Sequence, residues 1–287
     1  MNENISAHFV IYSRLVSNRV SELLDFLLTQ QRFKEFSLFE HTDFIGDPKW
    51  KVIPKDRTGF KERFAAQAQK NPSRPLLLAD RDVGLFNVLV TESPEFLDGP
   101  RFEPTESQDT PGQIYPSSSV DVRLHARTLM GSGGGADSVM MERFLGFLID
   151  LFEILGADFG KAHDTTDSIA LDGSADKMSF IPGLLSSKPR VMPGRRTMWP
   201  LQSVYWANFF SKRWSGTVER VIAAVTTPGL HTRALPSGGI LVLTAASPLA
   251  PSEKANREAL WAVWKSAGLG PLPNRAQIWK LTRQWSK

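Results

Sequence analysis

The chain contains no cysteine, which excludes disulfides, thiol catalysis and zinc–thiolate sites. It also lacks an uncharged apolar run of about 18 residues, the length that a membrane-spanning helix requires, because Glu142 and Asp150 interrupt its most hydrophobic stretch. The first residues carry no basic segment followed by the long apolar run of an export signal. We therefore expect a cytoplasmic protein that has no contact with a membrane.

Size and charge set loose bounds on the architecture. The 287 residues are 41% hydrophobic, which suffices for a single large domain over residues 1–287. A subdivision into residues 1–115 and 116–287 stays open, because the proline-rich stretch Ser93–Ser118 separates two predicted strands. The formal net charge of +4 fits an acidic protein partner, a nucleic acid or no specific partner.

The most regular stretch of the sequence runs from Ser119 to Asp164. It begins with a predicted strand in which apolar residues alternate with polar ones: Val120, Val122, Leu124 and Ala126 against Asp121, Arg123, His125 and Arg127. The glycine-rich turn Gly131–Gly135 follows, and Asp137 or Ser138 can cap the next element. From Val139 to Leu155 nearly every residue is apolar, which predicts a helix buried on several sides. Its polar exceptions form one thin stripe: Glu142, Arg143, Gly146, Asp150 and Glu153.

Other segments mix helical and strand periodicity. The sequence predicts strands at His8–Tyr12 and Gly84–Thr91, and a hairpin from Leu230–Leu235 and Ile240–Thr244. We expect the stretch Ala157–Asp164 to leave the long helix through a tight turn. Two halves each begin with a strand and an apolar helix, but no residue-level repeat supports a duplication. This order of elements favours an α+β fold, with a mixed or antiparallel sheet and helices packed mainly on one face.

The Gly131–Gly135 turn is a loose form of a dinucleotide-binding motif, whose backbone N–H groups hold a pyrophosphate at a helix N-terminus. Two observations count against that interpretation. The preceding strand is polar on one face, whereas a dinucleotide-binding strand is apolar on both. No acidic residue ends a second strand about twenty residues further on. A connector is the simpler interpretation, and a nucleotide- or phosphate-binding enzyme stays open as the alternative.

Histidine and aspartate lie close in sequence in two places. His163 precedes Asp164, and His125 shares the predicted strand with Asp121, so either pair could supply acid–base catalysis or metal ligands. However, no two histidines have the short spacing of a metal site, and the chain has no G-x-S-x-G nucleophile motif. We therefore predict a protein that is not an enzyme, with no catalytic residues, no metal and no cofactor.

The segment Lys188–Arg196 is basic and contains no acidic residue. It can be a solvated loop, a phosphate-contacting arm or a protein-docking loop. Isolated arginines among prolines suit anchoring on a carboxylate cluster. The residues that we predict to bind a partner are Arg190, Arg195, Arg196 and Trp199. Because the sequence has neither an RNA-recognition signature nor a helix-turn-helix pattern, we do not expect a nucleic acid as the partner.

From Val120 to the C-terminus, the order of features resembles that of bacterial polymorphic-toxin immunity proteins, in particular the class paired with restriction-endonuclease-fold toxins. The segments that carry the resemblance are Val120–Ala126, Val139–Leu155, Ala157–His163, Tyr205–Phe210 and Leu235–Thr244. Type VI secretion immunity families are similar to almost the same degree. The resemblance implies a non-catalytic protein that binds and neutralises a cognate toxin domain, a nuclease for this class, in the cell that makes both. It identifies no binding residues.

Overall fold

The structure is a computed structural model of the chain. The residues that it describes are 4–11, 17–29, 40–42, 51–52, 58–60, 62, 66, 76–80, 86–92, 118–131, 135–164, 204–225 and 229–266.

Ten strands, four α-helices and a 3-10 helix (Ala126–Leu129) make up the named secondary structure of these residues. The strands are β1 (Asn4–Ile11), β2 (Glu40–Thr42), β3 (Lys51–Val52), β4 (Leu76–Asp80), β5 (Phe86–Glu92), β6 (Ser118–His125), β7 (Phe159–Asp164), β8 (Ala207–Phe210), β9 (His231–Ala234) and β10 (Ile240–Leu243). The helices are α1 (Ser17–Thr29), α2 (Ser138–Leu155), α3 (Lys212–Ile222) and α4 (Glu253–Ser266). Within this described part, no helix has both the length and the apolar character needed to cross a membrane.

The strands form one sheet in the order β3-β2-β4-β5-β6-β1-β7-β8-β10-β9. Every neighbouring pair is antiparallel, which confirms the predicted α+β class with an antiparallel sheet. Between β1 and β6, the chain forms β2 and β3 at one edge of the sheet and then β4 and β5 nearer the centre. After α2 it forms β7 and β8 near the centre and then β9 and β10 at the other edge. A tandem duplication would give the same direction twice, so the fold does not support one.

Alternation along the strands divides the interior into two cores. The larger core lies on the first face, where α1 and α2 cover the apolar side of β1 and β6; its strand residues include Ile5, Phe9, Val122 and Leu124. In β8, Phe209 joins this core, while its neighbour Phe210 faces the opposite side of the sheet. On that second face, Phe210 packs with Trp214 of α3 and Trp264 of α4. Helices α1 and α2 therefore cover most of the buried apolar area, and α3 and α4 form a smaller second layer.

The structure confirms the predicted strand at Val120 and the predicted apolar helix, which spans Ser138–Leu155. It corrects the segment after that helix. The turn is confined to residues 156–158, where Gly156 has a left-handed φ of 54°, and Phe159–Asp164 then forms β7 beside β1. This strand could not be recognised from the sequence, because polar residues on a strand normally predict a solvent-exposed face, whereas Lys161 and His163 are both buried here.

Candidate partner-binding surface

The glycine-rich turn and the start of α2 form a closed local structure. Among the described residues of the turn, the Gly131 amide donates to the Gly135 carbonyl at 2.8 Å, and the Asp137 amide donates to the Leu129 carbonyl at 2.8 Å. The Asp137 carboxylate caps α2, because its Oδ1 accepts from the amides of Val139 at 2.9 Å and Met140 at 3.0 Å. A carboxylate that already occupies these amides opposes a second anion there, so the geometry does not favour a phosphate site.

The predicted histidine–aspartate pairs are not brought together as acid–base pairs. His163 and Asp164 are consecutive in β7, so their side chains leave opposite faces of the sheet. Asp121 and His125 are four residues apart in β6, about 13 Å along an extended strand. His125 Nδ1 instead accepts from the Arg127 amide at 3.3 Å. In the described ranges, no three His, Asp or Glu side chains converge in a way that could hold a metal ion.

His163 belongs to a buried polar network that joins α4 to the sheet. Its Nδ1 accepts from the Trp206 amide at 3.2 Å, which leaves the proton of a neutral ring on Nε2. Glu253 Oε1 lies 3.9 Å from that Nδ1 and accepts from Thr244 Oγ1 at 3.0 Å and from Arg257 Nε at 3.1 Å. The hydrogen bond of Glu253 with Thr244 ties α4 to the end of β10, and that of His163 with Trp206 ties β7 to the residue before β8. We therefore assign the network a structural role.

Exposed apolar side chains occur at one end of α2. Among the described residues, the exposed large hydrophobic side chains are Met130, at 36% exposure, and Val139, at 59%. Val139 also lines a shallow depression of about 530 Å³, together with Ser138, Glu142, Arg143 and Gly146. Arg143 is exposed. We call Met130 and these five lining residues the α2 surface.

An ion pair fixes one side of the α2 surface to the β9–β10 hairpin. Arg233 donates from both terminal nitrogens to Glu142, Nη1 to Oε2 at 2.9 Å and Nη2 to Oε1 at 2.6 Å. The hydrogen bond with Arg233 holds the pKa of Glu142 below its ordinary value, and the same bond raises the pKa of Arg233. Both groups therefore stay charged at neutral pH, and the Glu142 carboxylate is neutralised by the Arg233 guanidinium.

A second contact attaches the tip of the hairpin further along α2. The amide of Ser237 donates to Glu153 Oε1 at 3.3 Å, and its hydroxyl donates to the same oxygen at 2.9 Å. Residues 142 and 153 lie about 16 Å apart along a helix that rises about 1.5 Å per residue. Two attachments at that separation hold the polar stripe of α2 in a fixed position relative to the hairpin.

The residues predicted to bind a partner, Arg190, Arg195, Arg196 and Trp199, lie outside the described residues, so their role stays a prediction. Val139 is not among the predicted binding residues, although the sequence contains a signal for it. Val139 precedes Glu142 and Arg143 by three and four residues, so it lies on the polar stripe of the helix. An apolar residue on a polar stripe is the pattern that could have identified the α2 surface.

No family model matches the chain, and no curated protein matches its sequence. Among solved structures, the fold is similar to that of the Pseudomonas aeruginosa T6SS protein PA0821, with a TM-score of 0.54 and 14% sequence identity. The alignment covers 98% of this chain and 81% of that chain. At this level of identity, the likeness shows a shared α+β fold.

Proposed function

We propose that this chain is an immunity protein of a type VI secretion system. In this proposal it binds one cognate toxin domain by protein–protein contact and neutralises it in the cytoplasm of the cell that makes both. The observation that supports the proposal most directly is the fold likeness to a T6SS protein, which extends over 98% of this chain. The resemblance of Val120–Thr244 to polymorphic-toxin immunity proteins points the same way from the sequence.

The use of the buried polar groups is consistent with a binding protein. His163, Glu253 and Arg257 bond to one another or to the backbone in a way that connects α4 with the sheet. The Asp137 carboxylate is used as a helix cap. These groups therefore stabilise a fixed shape, and a rigid shape lowers the entropic cost of binding a partner.

The charge of the chain bears on how it would meet a nuclease toxin. A nuclease that binds a polyanion presents basic surface around its active site, and an inhibitor that imitates the substrate is acidic. This chain has a formal net charge of +4. We therefore propose that it contacts acidic surface on the toxin, either the carboxylates that bind the catalytic metal or a patch away from the active site.

The test of the function is protection by complex formation. Cells that express the toxin domain encoded by the neighbouring reading frame should grow when this chain is co-expressed. The two purified proteins should form a one-to-one complex in size-exclusion chromatography with light scattering. A specific interface of that kind buries on the order of 1,600 Å². Growth arrest despite abundant, folded immunity protein would reject the proposal.

A charge reversal tests the four predicted anchors. Arg195→Glu combined with Arg196→Glu should weaken toxin binding and leave the thermal midpoint unchanged, if isolated arginines provide the anchoring. The matched control is Arg220→Glu combined with Lys254→Glu, which reverses two exposed charges on α3 and α4. Equal protection by both double variants would remove the Lys188–Arg196 segment from the interface.

A further inference from the structure

We propose that the cognate toxin docks on the α2 surface, with an apolar side chain seated beside Val139 and a carboxylate facing Arg143. This inference rests on the proposed function and adds the chemistry of the contact: an acidic patch of toxin that carries an exposed apolar side chain. The contact on α2 is proposed in addition to the contact predicted for Arg195 and Arg196, and each is tested by its own variants.

The apolar part of the contact follows from exposure. Val139 is 59% exposed and Met130 is 36% exposed, and the antiparallel bridge between Met130 and Ala136 brings both ends of the glycine-rich turn together just before α2. Val139 lines the depression of about 530 Å³, which gives a partner side chain an apolar contact and space. Anchor side chains that become buried at the centre of an interface supply most of its affinity.

The charge of the contact follows from the ion pair beside it. Glu142 is the acidic residue of the surface, and its carboxylate is already paired with Arg233. Arg143, the next residue, has no ion pair with any described residue. The surface therefore offers an available guanidinium next to a neutralised carboxylate. An acidic partner complements this arrangement, whereas a basic one meets Arg143 and Arg233 together.

The stiffness of the surface makes the contact specific. Arg233 and Ser237 attach the β9–β10 hairpin to Glu142 and Glu153, so the exposed stripe of α2 is supported on one side by the edge of the sheet. On its other side, Phe144 and Leu148 of the same helix are fully buried in the core. Because the surface is already ordered, little conformational entropy is lost when a partner docks on it.

The experiment measures binding of the purified, inactivated toxin domain from the neighbouring reading frame by calorimetry. Val139→Asp and Arg143→Glu should each weaken binding by about tenfold or more, as expected for interface anchors. The effect of Arg143→Glu should shrink in high salt. An aspartate in the first turn of a helix is favourable, so Val139→Asp should not unfold α2. The matched controls Ala255→Asp and Arg220→Glu, exposed on α4 and α3, should bind like the wild type.

The outcomes separate this inference from the function on which it rests. If the wild type binds the toxin and both α2 variants bind it equally well, the α2 surface is not the docking site, and the immunity function stands. If the wild type does not bind the toxin, both proposals fall. If the chain alone forms a dimer that Val139→Asp dissociates, the surface serves a second copy of the chain and the inference is overturned.

Discussion

Phe9 of β1 and Phe209 of β8 meet edge to face across the intervening strand β7, with ring centroids 5.4 Å apart. The residue of β7 that pairs with both of them is Gly160. The ring of Phe9 occupies the space above the glycine where a side chain would otherwise lie. Phe152 of α2 completes the cluster, stacked on Phe209 at 5.5 Å. This aromatic cluster is the point where the longest helix meets the middle of the sheet.

Substituting Gly160 by alanine should destabilise the protein. A Cβ at this position would clash with the ring of Phe9, lying 2.7 Å from its Cε1, and overpacking of a core typically costs about 1–3 kcal/mol. Urea denaturation of Gly160→Ala should show this loss. The control is Gly216→Ala in α3, where a Cβ would meet nothing within 4 Å; it should stabilise the protein by about 0.5–1 kcal/mol. Equal stability of the two variants would contradict the packing at Gly160.

Removing the cap of α2 should lower stability without creating a ligand site. Asp137→Ala loses the bonds to the amides of Val139 and Met140, at a cost of about 0.5–2 kcal/mol. Asp137→Ser, which can still cap the helix, should recover most of the lost stability.

Thermal shift with a nucleotide panel checks the alternative function, because a ligand at 100 times its Kd stabilises by about 2.7 kcal/mol. A large shift of the wild type by any nucleotide would contradict our interpretation of the Gly131–Gly135 turn.

The Glu142–Arg233 pair should make a small, pH-dependent contribution to stability. Its hydrogen bond with Arg233 lowers the pKa of Glu142 from the ordinary 4.5. The unfolded chain therefore binds this proton more readily, so the contribution is present above pH 4.5 and is lost as the pH falls through the lowered value. Because the Glu142 side chain is 62% exposed, solvent screening keeps the contribution to about 1 kcal/mol or less.

The measurement compares Glu142→Gln with the wild type by thermal denaturation at pH 7 and again near pH 3. The midpoint of the variant should be slightly lower at pH 7, and the difference should narrow at the acidic pH and shrink in high salt. Glu219→Gln on the exposed side of α3 is the control, because Glu219 forms no ion pair with the described residues. A difference that is as large near pH 3 as at pH 7 would show that Glu142 contributes through packing instead of charge.

The Asn208 amide should be essential to the second face of the sheet. Its Oδ1 accepts from the Tyr205 amide at 3.0 Å, and its Nδ2 donates to the carbonyls of Tyr205 at 2.8 Å and Val242 at 3.3 Å. Asn208→Ala leaves these buried groups unsatisfied, at a cost of about 1–3 kcal/mol. Asn208→Asp should lower the free energy of unfolding further at neutral pH, because a carboxylate would face two carbonyl oxygens. In urea denaturation, the difference in stability between this variant and the wild type should become smaller at low pH. Equal stability of Asn208→Asp and the wild type would contradict this network.

Local periodicity was enough to predict the elements of the fold that have one solvent-exposed face. Val120, Val122 and Leu124 alternate with polar residues, and all three are buried on the first face. On α2, Glu142 and Arg143 of the polar stripe are exposed, and the other three stripe residues are half-buried. The hairpin formed by β9 and β10 matches its prediction because a glycine turn separates two short strands. In β6 and α2 the polar residues carry the signal, whereas in the hairpin the turn carries it, because β10 is buried along its whole length.

Elements buried on both faces were harder to predict, because their burial is set by distant segments. In β7, Lys161 is buried beside Tyr205, whose hydroxyl accepts from Nζ at 3.3 Å, and His163 bonds to Trp206. Those partners are more than forty residues away in the sequence, so no local sequence pattern predicts these contacts. The α2 surface was missed for a different reason. Helical spacing places Val139 on the polar stripe beside Glu142 and Arg143, but the apolar run Val139–Leu155 was assigned as a whole to the buried core.

The position of β1 between β6 and β7 constrains how the protein can be synthesised. These two strands flank β1 on either side, and both are translated long after it. A nascent chain must therefore carry the apolar residues Ile5 and Phe9 without any neighbouring strand until β6 has left the ribosome, and without the second one until residue 164 has done so. We expect the emerging polypeptide to rely on chaperones during this interval, and an interrupted translation product that ends before β7 to aggregate through its unpaired strands.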